Sequence, residues 1–348
     1  MIKYLEFEEK QSTKNLYLEA FPEDKDTLFV DYYYREKIKD NEIIVEEDEG
    51  KIITMIHLNP YIMKICNSEY NIDYIVAVAT KTSHRKQGKM ANLMKQTLID
   101  MYDDERPFTF LLPANPNYYR GLGFSYISKY TNTEVSNKLK VKKLDIDELI
   151  KNGVSDNITN ITIVKFMNSW LEKNSEVYCV RSLNYLDRLC KELKTEDGSI
   201  EVFLNEVDEV VGIKISWGTE KKEIREFMCD TKYGELKQTD KEYIMARIVN
   251  LDEFIQFIKL REDSKRAGET YKLRIKDDII KDNEGTYLWH INRETSYLER
   301  LENEDTLDLP EYDIAEFTSW LFGHNVSYKA DFCSDIKTLE KVFITEVV

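Results

Sequence analysis

A cluster of cations interrupts an otherwise acidic chain. The 348-residue sequence has a formal net charge of −16, yet residues 81–89 contain four Lys or Arg and no acid. An apolar run at 75–79 precedes this cluster, and apolar side chains recur at helical spacing from Met90 to Met101. A basic strand-to-helix junction with a glycine, Gly88, can bind a polyphosphate, because the first helical turn exposes N–H groups and the positive end of the helix dipole. A solvated basic turn before an ordinary core helix is the alternative.

The junction resembles a known phosphate-binding loop. Its residues match the pyrophosphate-binding loop of the GNAT acetyltransferases, Arg/Gln-x-x-Gly-x-Gly/Ala, except that Met90 departs from the last position. The resemblance narrows to the Eis (enhanced intracellular survival) subfamily, because Tyr119-Arg120-Gly121-Leu122-Gly123-Phe124 follows about thirty residues after the loop. It implies that acetyl-CoA is the cosubstrate and that the loop residues contact it, namely Arg85, Lys86, Gln87, Gly88, Lys89 and Met90.

The strand before the loop carries a second set of candidates. In acetyltransferases of this type, strand amides beside the thioester carbonyl orient and polarise it, and the resemblance assigns that role to Ala77, Val78 and Ala79, nine to eleven residues before Gly88. Small and β-branched side chains are also what any buried central strand requires, so simple packing is the alternative. Ala114 and Asn115 match the second coenzyme contact of the family.

Tyr119 is the candidate general acid. A phenol, with a pKa of about 10, can give a proton to a departing thiolate and regain it from solvent. The resemblance places Tyr119 at the position of the family's catalytic tyrosine. A one-residue shift would exchange it with Tyr118. In a chain with 22 tyrosines, the alternative is that both are packing residues.

The resemblance also implies an unusual general base. In the Eis family the terminal carboxylate of the chain reaches the active site, which here corresponds to Val348. A carboxylate with a pKa of about 3.5 is ionised at pH 7 and can assist the loss of an ammonium proton. The family ends in an aromatic residue, from which Val348 departs, and a frayed final strand over 342–348 is the alternative.

Periodicity predicts a mixed α/β (α+β) fold. Residues 1–140 contain a hairpin around the acidic turn 46–50 and then a β-α-β unit, with its elements at 72–80, 88–102 and 108–113. Residues 141–240 repeat a similar order of helices and strands without a phosphate loop. Residues 241–348 form a further α+β module. The resemblance implies a catalytic acetyltransferase domain, a degenerate second one and a sterol-carrier-protein-like third one over these three segments.

Composition excludes several classes of function. The negative charge disfavours nucleic acid and favours cationic partners. Five scattered cysteines without a CxxC pair indicate reduced thiols in a cytoplasmic protein, and four histidines without metal spacing predict no metal site. The sequence has no apolar run of about 18 residues, so we expect no membrane span.

These patterns favour an acetyl-CoA-dependent N-acetyltransferase that acts on primary amines. By resemblance the acceptor is an aminoglycoside-like polyamine or a lysine side chain, and the assembly is a homo-oligomer, a hexamer. The alternative from another class is a non-catalytic scaffold that binds acyl-CoA or a lipid.

Overall fold

The computed structural model describes residues 1–135, 139–155, 157–219, 221–301, 308–325 and 331–346. The first part of the chain contains three α-helices and six strands. In chain order they are β1 Ile2–Tyr4, α1 Lys14–Ala20, α2 Leu28–Glu36, β2 Glu42–Asp48, β3 Lys51–Ile65, β4 Ser68–Thr80, α3 Lys89–Asp103, β5 Phe108–Leu111 and β6 Ser125–Tyr126. Short 3₁₀ helices lie at Phe7–Thr13, Pro22–Asp24, Lys37–Lys39, Thr82–His84, Pro116–Tyr118 and Arg120–Leu122.

The hairpin and the β-α-β unit predicted from the sequence are confirmed. Strands β1 to β4 pair antiparallel in chain order, and Gly50, at φ 73°, lies in the acidic turn between β2 and β3. Helix α3 then carries the chain to β5, which is parallel to β4. The helix forms here because Leu93, Met94, Thr97, Leu98 and Met101 make one buried stripe.

The middle of the chain forms a smaller sheet and a ribbon. Its elements are β7 Lys129–Val135, β8 Lys140–Lys143, α4 Ile146–Ile150, β9 Val154–Ser155, β10 Ile158–Thr159, α5 Asn160–Asn174, β11 Val177–Cys179, α6 Leu183–Thr195, β12 Ser199–Leu204, β13 Val210–Trp217, β14 Glu223–Cys229 and β15 Gly234–Glu242. The sheet has the order β14-β13-β12-β8, and β15 pairs with β7 as a separate ribbon. Helices α5 and α6 share a buried core with this sheet.

The last part of the chain forms a four-stranded sheet with the order β20-β19-β18-β21. Its elements are β16 Met245–Ile248, α7 Leu251–Ile255, β17 Lys259–Leu260, β18 Gly268–Lys276, β19 Gly285–Asn292, β20 Ser296–Leu301, β21 Glu311–Asp313, α8 Ile314–Leu321, β22 Ile336–Lys337 and β23 Val342–Phe343. Two further 3₁₀ helices lie at Lys281–Asn283 and Asp331–Asp335. Trp289, Phe317 and Trp320 are fully buried between this sheet and α8.

Strands from all three sequence segments build the main nine-stranded sheet. Strand β16, which the sequence places in the third segment, pairs antiparallel with both β5 and β6, and its four residues are buried. Strand β11 joins the same sheet against β3, and β23 pairs parallel with β11. The domain boundaries at 140 and 240 therefore stay a prediction. The helices and strands that the sequence predicts on either side of them are present. Among the described residues, no helix has the length and hydropathy needed to span a membrane.

Candidate active site

Strands β4 and β5 separate and leave a wedge between them. Within the described residues they pair at one position, Tyr74 opposite Phe110. Strand β4 then continues to Thr80, whereas β5 ends at Leu111, which pairs with Met245 of β16 on its other side. We call the gap between residues 75–80 and β5 the wedge. It lies at the carboxyl ends of two parallel strands, where α/β folds commonly bind ligands.

A β-bulge lies at the predicted thioester contact. Met55 pairs with Ala79 and His57 pairs with Val76, so that two residues of β4, Ala77 and Val78, stand opposite one residue of β3. Ala77 has a φ of 49°, a conformation that costs a non-glycine residue about 1–3 kcal/mol. Because a bulge interrupts the ladder, it leaves backbone polar groups available to a ligand. The bulge therefore lies on the strand that borders the wedge, and the contact of its amides with the thioester stays a prediction.

The loop after β4 has the backbone of an anion site. Gly88 is the N-cap of α3 with a φ of 77°, and no heavy atom lies within 4 Å of where its Cβ would be. The first hydrogen bond of the helix runs from the N–H of Asn92 to the carbonyl of Gly88 at 3.0 Å. The N–H groups of residues 89–91 therefore have no acceptor in the helix, which is the arrangement that binds phosphate.

The cations of the loop differ in exposure and in whether a carboxylate already pairs with them. Arg85 donates from Nε to the carbonyl of Thr80 at 3.0 Å and is otherwise exposed, and Lys86 is exposed with a φ of 62°. The Lys89 ammonium lies 2.5 Å from Oε1 of Glu46. Arg85 and Lys86 can therefore meet an incoming phosphate directly, whereas the charge of Lys89 is already compensated.

Side-chain contacts keep the loop in shape. Gln87 donates from Nε2 to the carbonyl of Ser83 at 3.2 Å, and Glu19 of α1 accepts the N–H of Thr82 at 2.7 Å. Met90 is half-buried and packs against the core on the α3 side of the sheet. Gln87 and Met90 thus have structural contacts of their own. No sequence motif marks Glu19 as a partner of the loop.

The two candidate tyrosines have opposite environments. Tyr119 is 8% exposed and belongs to the same buried cluster as Ile75 and Leu111, which flank the wedge, whereas Tyr118 is 59% exposed. The Tyr119 ring meets that of Phe124 edge-on at 6.0 Å. Burial, with a smaller contribution from Tyr118, raises the pKa of Tyr119 to about 12. A tyrosine in this state is neutral at physiological pH and can donate a proton.

The loop after β5 lies beside the same strand end. Asn115 accepts the N–H of Asn117 through Oδ1 at 3.0 Å and so caps a short 3₁₀ helix that leads to Tyr119. Ala114 is exposed. The contact of these two residues with the coenzyme stays a prediction.

A cavity of about 360 Å³ opens on the other side of β4. The side chains of β4 alternate: Ile75 and Val78 pack with α3 and Tyr119, whereas Ala77 and Ala79 pack with α1 and α2. We call this space the acidic cavity, because three carboxylates and one Lys line it. Its lining consists of Tyr17, Phe21, Asp24, Phe29, Tyr33, Val76, Ala77, Glu196, Trp217, Gly218, Lys221 and Glu223. The sequence analysis named none of its acids, because they come from distant parts of the chain.

The acidic cavity has ordered polar groups in its wall. The Tyr17 hydroxyl donates to Oδ2 of Asp24 at 2.6 Å. Burial, with Asp24 and Glu192 nearby, raises the pKa of Glu196. Behind the wall, the Tyr33 hydroxyl lies 3.0 Å from Nδ1 of His57, whose pKa falls to about 3 because burial and Lys10 disfavour its charged form. His57 is therefore neutral.

The C-terminal segment shares an apolar core with part of the acidic cavity wall. Strand β23 ends at Phe343, after which Ile344 and Glu346 are buried. Ile344 belongs to the same packed cluster as Val76 and Trp217 of the acidic cavity. The predicted base, Val348, lies outside the described residues.

In the part of the chain that the structure describes, no group of three or more His, Cys, Asp or Glu side chains is placed so that it could hold a metal ion. The cysteines are unpaired thiols, four of them buried.

Comparison with known proteins agrees with this geometry. Residues 1–127 match the family model of the acetyltransferase (GNAT) domain. No curated protein sequence matches the chain. The fold is similar to that of a conserved protein from Enterococcus faecalis V583 described as a probable N-acyltransferase, with a TM-score of 0.74, 15% identity and coverage of 99% of this chain and 97% of that one.

Two further solved structures share the fold along almost the whole chain. A GCN5-related N-acetyltransferase from Anabaena variabilis has a TM-score of 0.70 and 14% identity, with coverage of 98% of this chain and 95% of that one. Eis1 from Mycobacterium abscessus has a TM-score of 0.69 and 9% identity, with coverage of 100% of both chains.

The matched domain, the wedge and the loop define an enzyme class. Residues 1–127 are a GNAT acetyltransferase domain, so the protein is an acetyltransferase. Acetyl-CoA is its cosubstrate. The mixed α/β fold predicted from the sequence is confirmed at this level.

Proposed function

We propose that the protein is an Eis-like enzyme that acetylates a primary amine of a multicationic acceptor, either an aminoglycoside-like polyamine or a lysine side chain. The observation that carries this proposal is the acidic cavity, which shares β4 with the wedge. Acetyl-CoA in the wedge and an amine in the cavity would approach the Ala77 bulge from opposite faces of the strand. Three carboxylates favour a cationic acceptor over a neutral or anionic one.

The chemistry is a direct transfer. The neutral amine attacks the thioester carbonyl, a C–N bond forms, and the C–S bond breaks as the tetrahedral intermediate collapses. Backbone N–H groups at Val78 and Ala79 are the proposed donors to the thioester oxygen, on which negative charge develops. Tyr119 gives its proton to the departing thiolate of CoA.

A base must remove the proton that the amine loses. We assign this role to the α-carboxylate of Val348, acting through water. Support comes from Ile344, which belongs to the same packed cluster as Val76 and Trp217, two residues of the cavity wall.

The proposal extends to the whole chain. We assign residues 1–140 to the catalytic domain, 141–240 to a degenerate acetyltransferase-like domain and 241–348 to a sterol-carrier-protein-like domain. Full-length similarity in fold to Eis1 supports this division. We further propose that the protein is a homo-hexamer and that it is cytoplasmic. The unpaired cysteines support the second point, because thiols stay reduced in the cytoplasm.

The test is acetyl transfer to a panel of amines. Release of CoA thiol is measured with an aminoglycoside, a linear polyamine, a lysine peptide and a neutral primary amine. Asp24→Asn and Glu196→Gln should each raise KM for the cationic acceptors by about tenfold, as expected for loss of one partly buried charge contact. The matched control is Asp26→Asn, an exposed acid two residues from Asp24 that does not line the cavity. Equal turnover of the neutral and cationic amines would overturn the proposed acceptor class.

A further inference from the structure

A buried ion-pair network holds the C-terminal segment. The side chains of Arg181 and Glu346 are both 0% exposed, and Nη1 of Arg181 pairs with Oε1 of Glu346. The other terminal nitrogen, Nη2, pairs with Glu226 of β14 and lies 3.1 Å from the hydroxyl of Thr345. Thr345 in turn donates to Glu226 at 2.8 Å. One guanidinium thus joins the last described residues of the chain to the edge strand of the middle sheet.

Further contacts fix the guanidinium itself. It stacks on the ring of Tyr185, with Cζ 4.4 Å from the ring centroid, and Nη1 donates to the carbonyl of Cys179 at 3.2 Å. The Tyr185 hydroxyl donates to Oε1 of Glu346 at 3.3 Å. Burial lowers the pKa of Arg181, but Glu226 and Glu346 more than offset this effect and raise the pKa above its ordinary range. Arg181 therefore stays charged.

Stability alone does not account for such a network. Moving charges out of water is unfavourable, and well-packed apolar side chains of similar volume often stabilise a fold as well or better. A buried ion pair, unlike an apolar contact, is satisfied in one register only. The anchored segment needs such a device, because β23 is only two residues long.

The anchor and the acidic cavity share strand β14. Glu226 follows Arg225, whose guanidinium lies 4.7 Å from the ring centroid of Trp217 in the cavity wall. Glu223, on the same strand, also lines the cavity. Thr345 directly, and Glu346 through Arg181, are therefore attached to the strand that supplies Glu223 to the cavity.

We infer that Arg181 is a positioning residue of the acceptor site: through Glu346 it fixes the register of the C-terminal segment beside the acidic cavity. This role rests on the proposed function, in which the terminus accepts the amine proton. Arg181 does not touch the substrate. It acts by setting the placement of the segment, and small errors in the placement of reacting groups can cost as much as about 100-fold in rate.

The test separates position from stability. A triple variant, Arg181→Met with Glu226→Leu and Glu346→Leu, removes all three charges and leaves none unpaired. Glu346→Gln is a milder second variant that keeps the shape of the side chain. The control is Arg188→Met, which removes a different ion pair, between Arg188 of the middle segment and Asp40 of the first segment. Each protein is measured for its thermal midpoint, kcat, KM for acetyl-CoA and amine, and release of C-terminal residues by a carboxypeptidase.

We expect the triple variant to unfold within a few degrees of the wild type, to lose about tenfold or more in kcat, to keep KM for acetyl-CoA and to release its C-terminal residues faster. Glu346→Gln should shift in the same direction by less, and Arg188→Met should match the wild type. A folded triple variant with wild-type kcat and a wild-type rate of release would overturn the inference. The release assay does not need turnover. If the wild type acetylates no amine, the proposed acceptor class is wrong. If carboxypeptidase releases C-terminal residues from the triple variant and from Glu346→Gln as slowly as from the wild type, the inferred role of Arg181 is wrong.

Discussion

At the residue scale, Tyr119 and Gly88 are distinguished from similar residues by their surroundings. Tyr119 is buried with a pKa of about 12, whereas the adjacent Tyr118 is mostly exposed. Gly88 has a left-handed φ of 77° at the start of α3, with open space where a phosphate would lie. The spacing of motifs could predict both positions, since a glycine before a helix and a tyrosine after a strand are visible in the sequence. It could not separate Tyr118 from Tyr119, because exposure depends on tertiary packing.

Replacing Tyr119 tests the assignment of the acid. Tyr119→Phe removes the proton donor without opening a cavity, so kcat should fall by about 10²-fold or more, with little change in KM for acetyl-CoA. Tyr118→Phe is the matched control and should keep wild-type kcat. Because the raised pKa keeps Tyr119 protonated, wild-type kcat should show no loss from this group below about pH 10. Steady-state kinetics across pH check this, and equal rates for both variants would refute the assignment.

Replacing Gly88 tests the loop. Gly88→Ala places a Cβ at a positive φ, which costs about 1 kcal/mol of unfolding free energy, and narrows the space for the phosphate. Gly50→Ala is a matched control, since Gly50 has a φ of 73° and the same open surroundings in a distant turn. Both variants should lose similar stability in urea, but only Gly88→Ala should bind acetyl-CoA more weakly in calorimetry. Equal affinities would place the phosphates elsewhere.

At the element scale, the wedge depends on a bulge and on a remote strand. The apolar run 75–79 predicts a buried strand, but nothing in it marks Ala77 for a positive φ, because the bulge is set by register against β3. The partner of β5 could not be foreseen either. Strand β16 lies well over a hundred residues later in the chain, and local patterns carry no information about such pairings.

His57 of β3, opposite the bulge, makes stability depend on pH. Its folded pKa is about 3, below the unfolded value of about 6.5, so the unfolded state binds the proton first as pH falls. The free energy of unfolding should therefore decrease as pH falls from about 6.5 towards 3, by at most about 4 kcal/mol from this residue. His57→Gln should flatten that slope in urea unfolding across pH. An unchanged slope in His57→Gln would contradict the burial of a neutral histidine.

At the scale of the whole molecule, the three predicted segments share one sheet. The sequence predicts three successive segments of helices and strands. Each segment, however, contributes strands to the same hydrogen-bonded sheet. Strand β16 lies between β5 and β6, and β11 extends the sheet beyond β3. Strand β5, which borders the wedge, is therefore held on its other side by a strand from the third segment.

This architecture predicts that the first segment does not fold alone. A fragment of residues 1–140 lacks β16, which leaves β5 and β6 without the strand between them and uncovers the buried side chains Phe108 and Phe110. We expect it to show no cooperative thermal transition by circular dichroism, whereas the full chain unfolds cooperatively. A fragment that melts cooperatively and binds acetyl-CoA as tightly as the full chain would show that the first segment is autonomous.

The most direct test of the central claim is calorimetric titration of the full chain with acetyl-CoA, beside a Gly88→Glu variant. We predict saturable one-site binding by the wild type and its loss in Gly88→Glu, because a carboxylate at that position would repel the pyrophosphate. Equal binding by both proteins would contradict the site at the loop. No binding by the wild type would contradict the account of the wedge as an acetyl-CoA site.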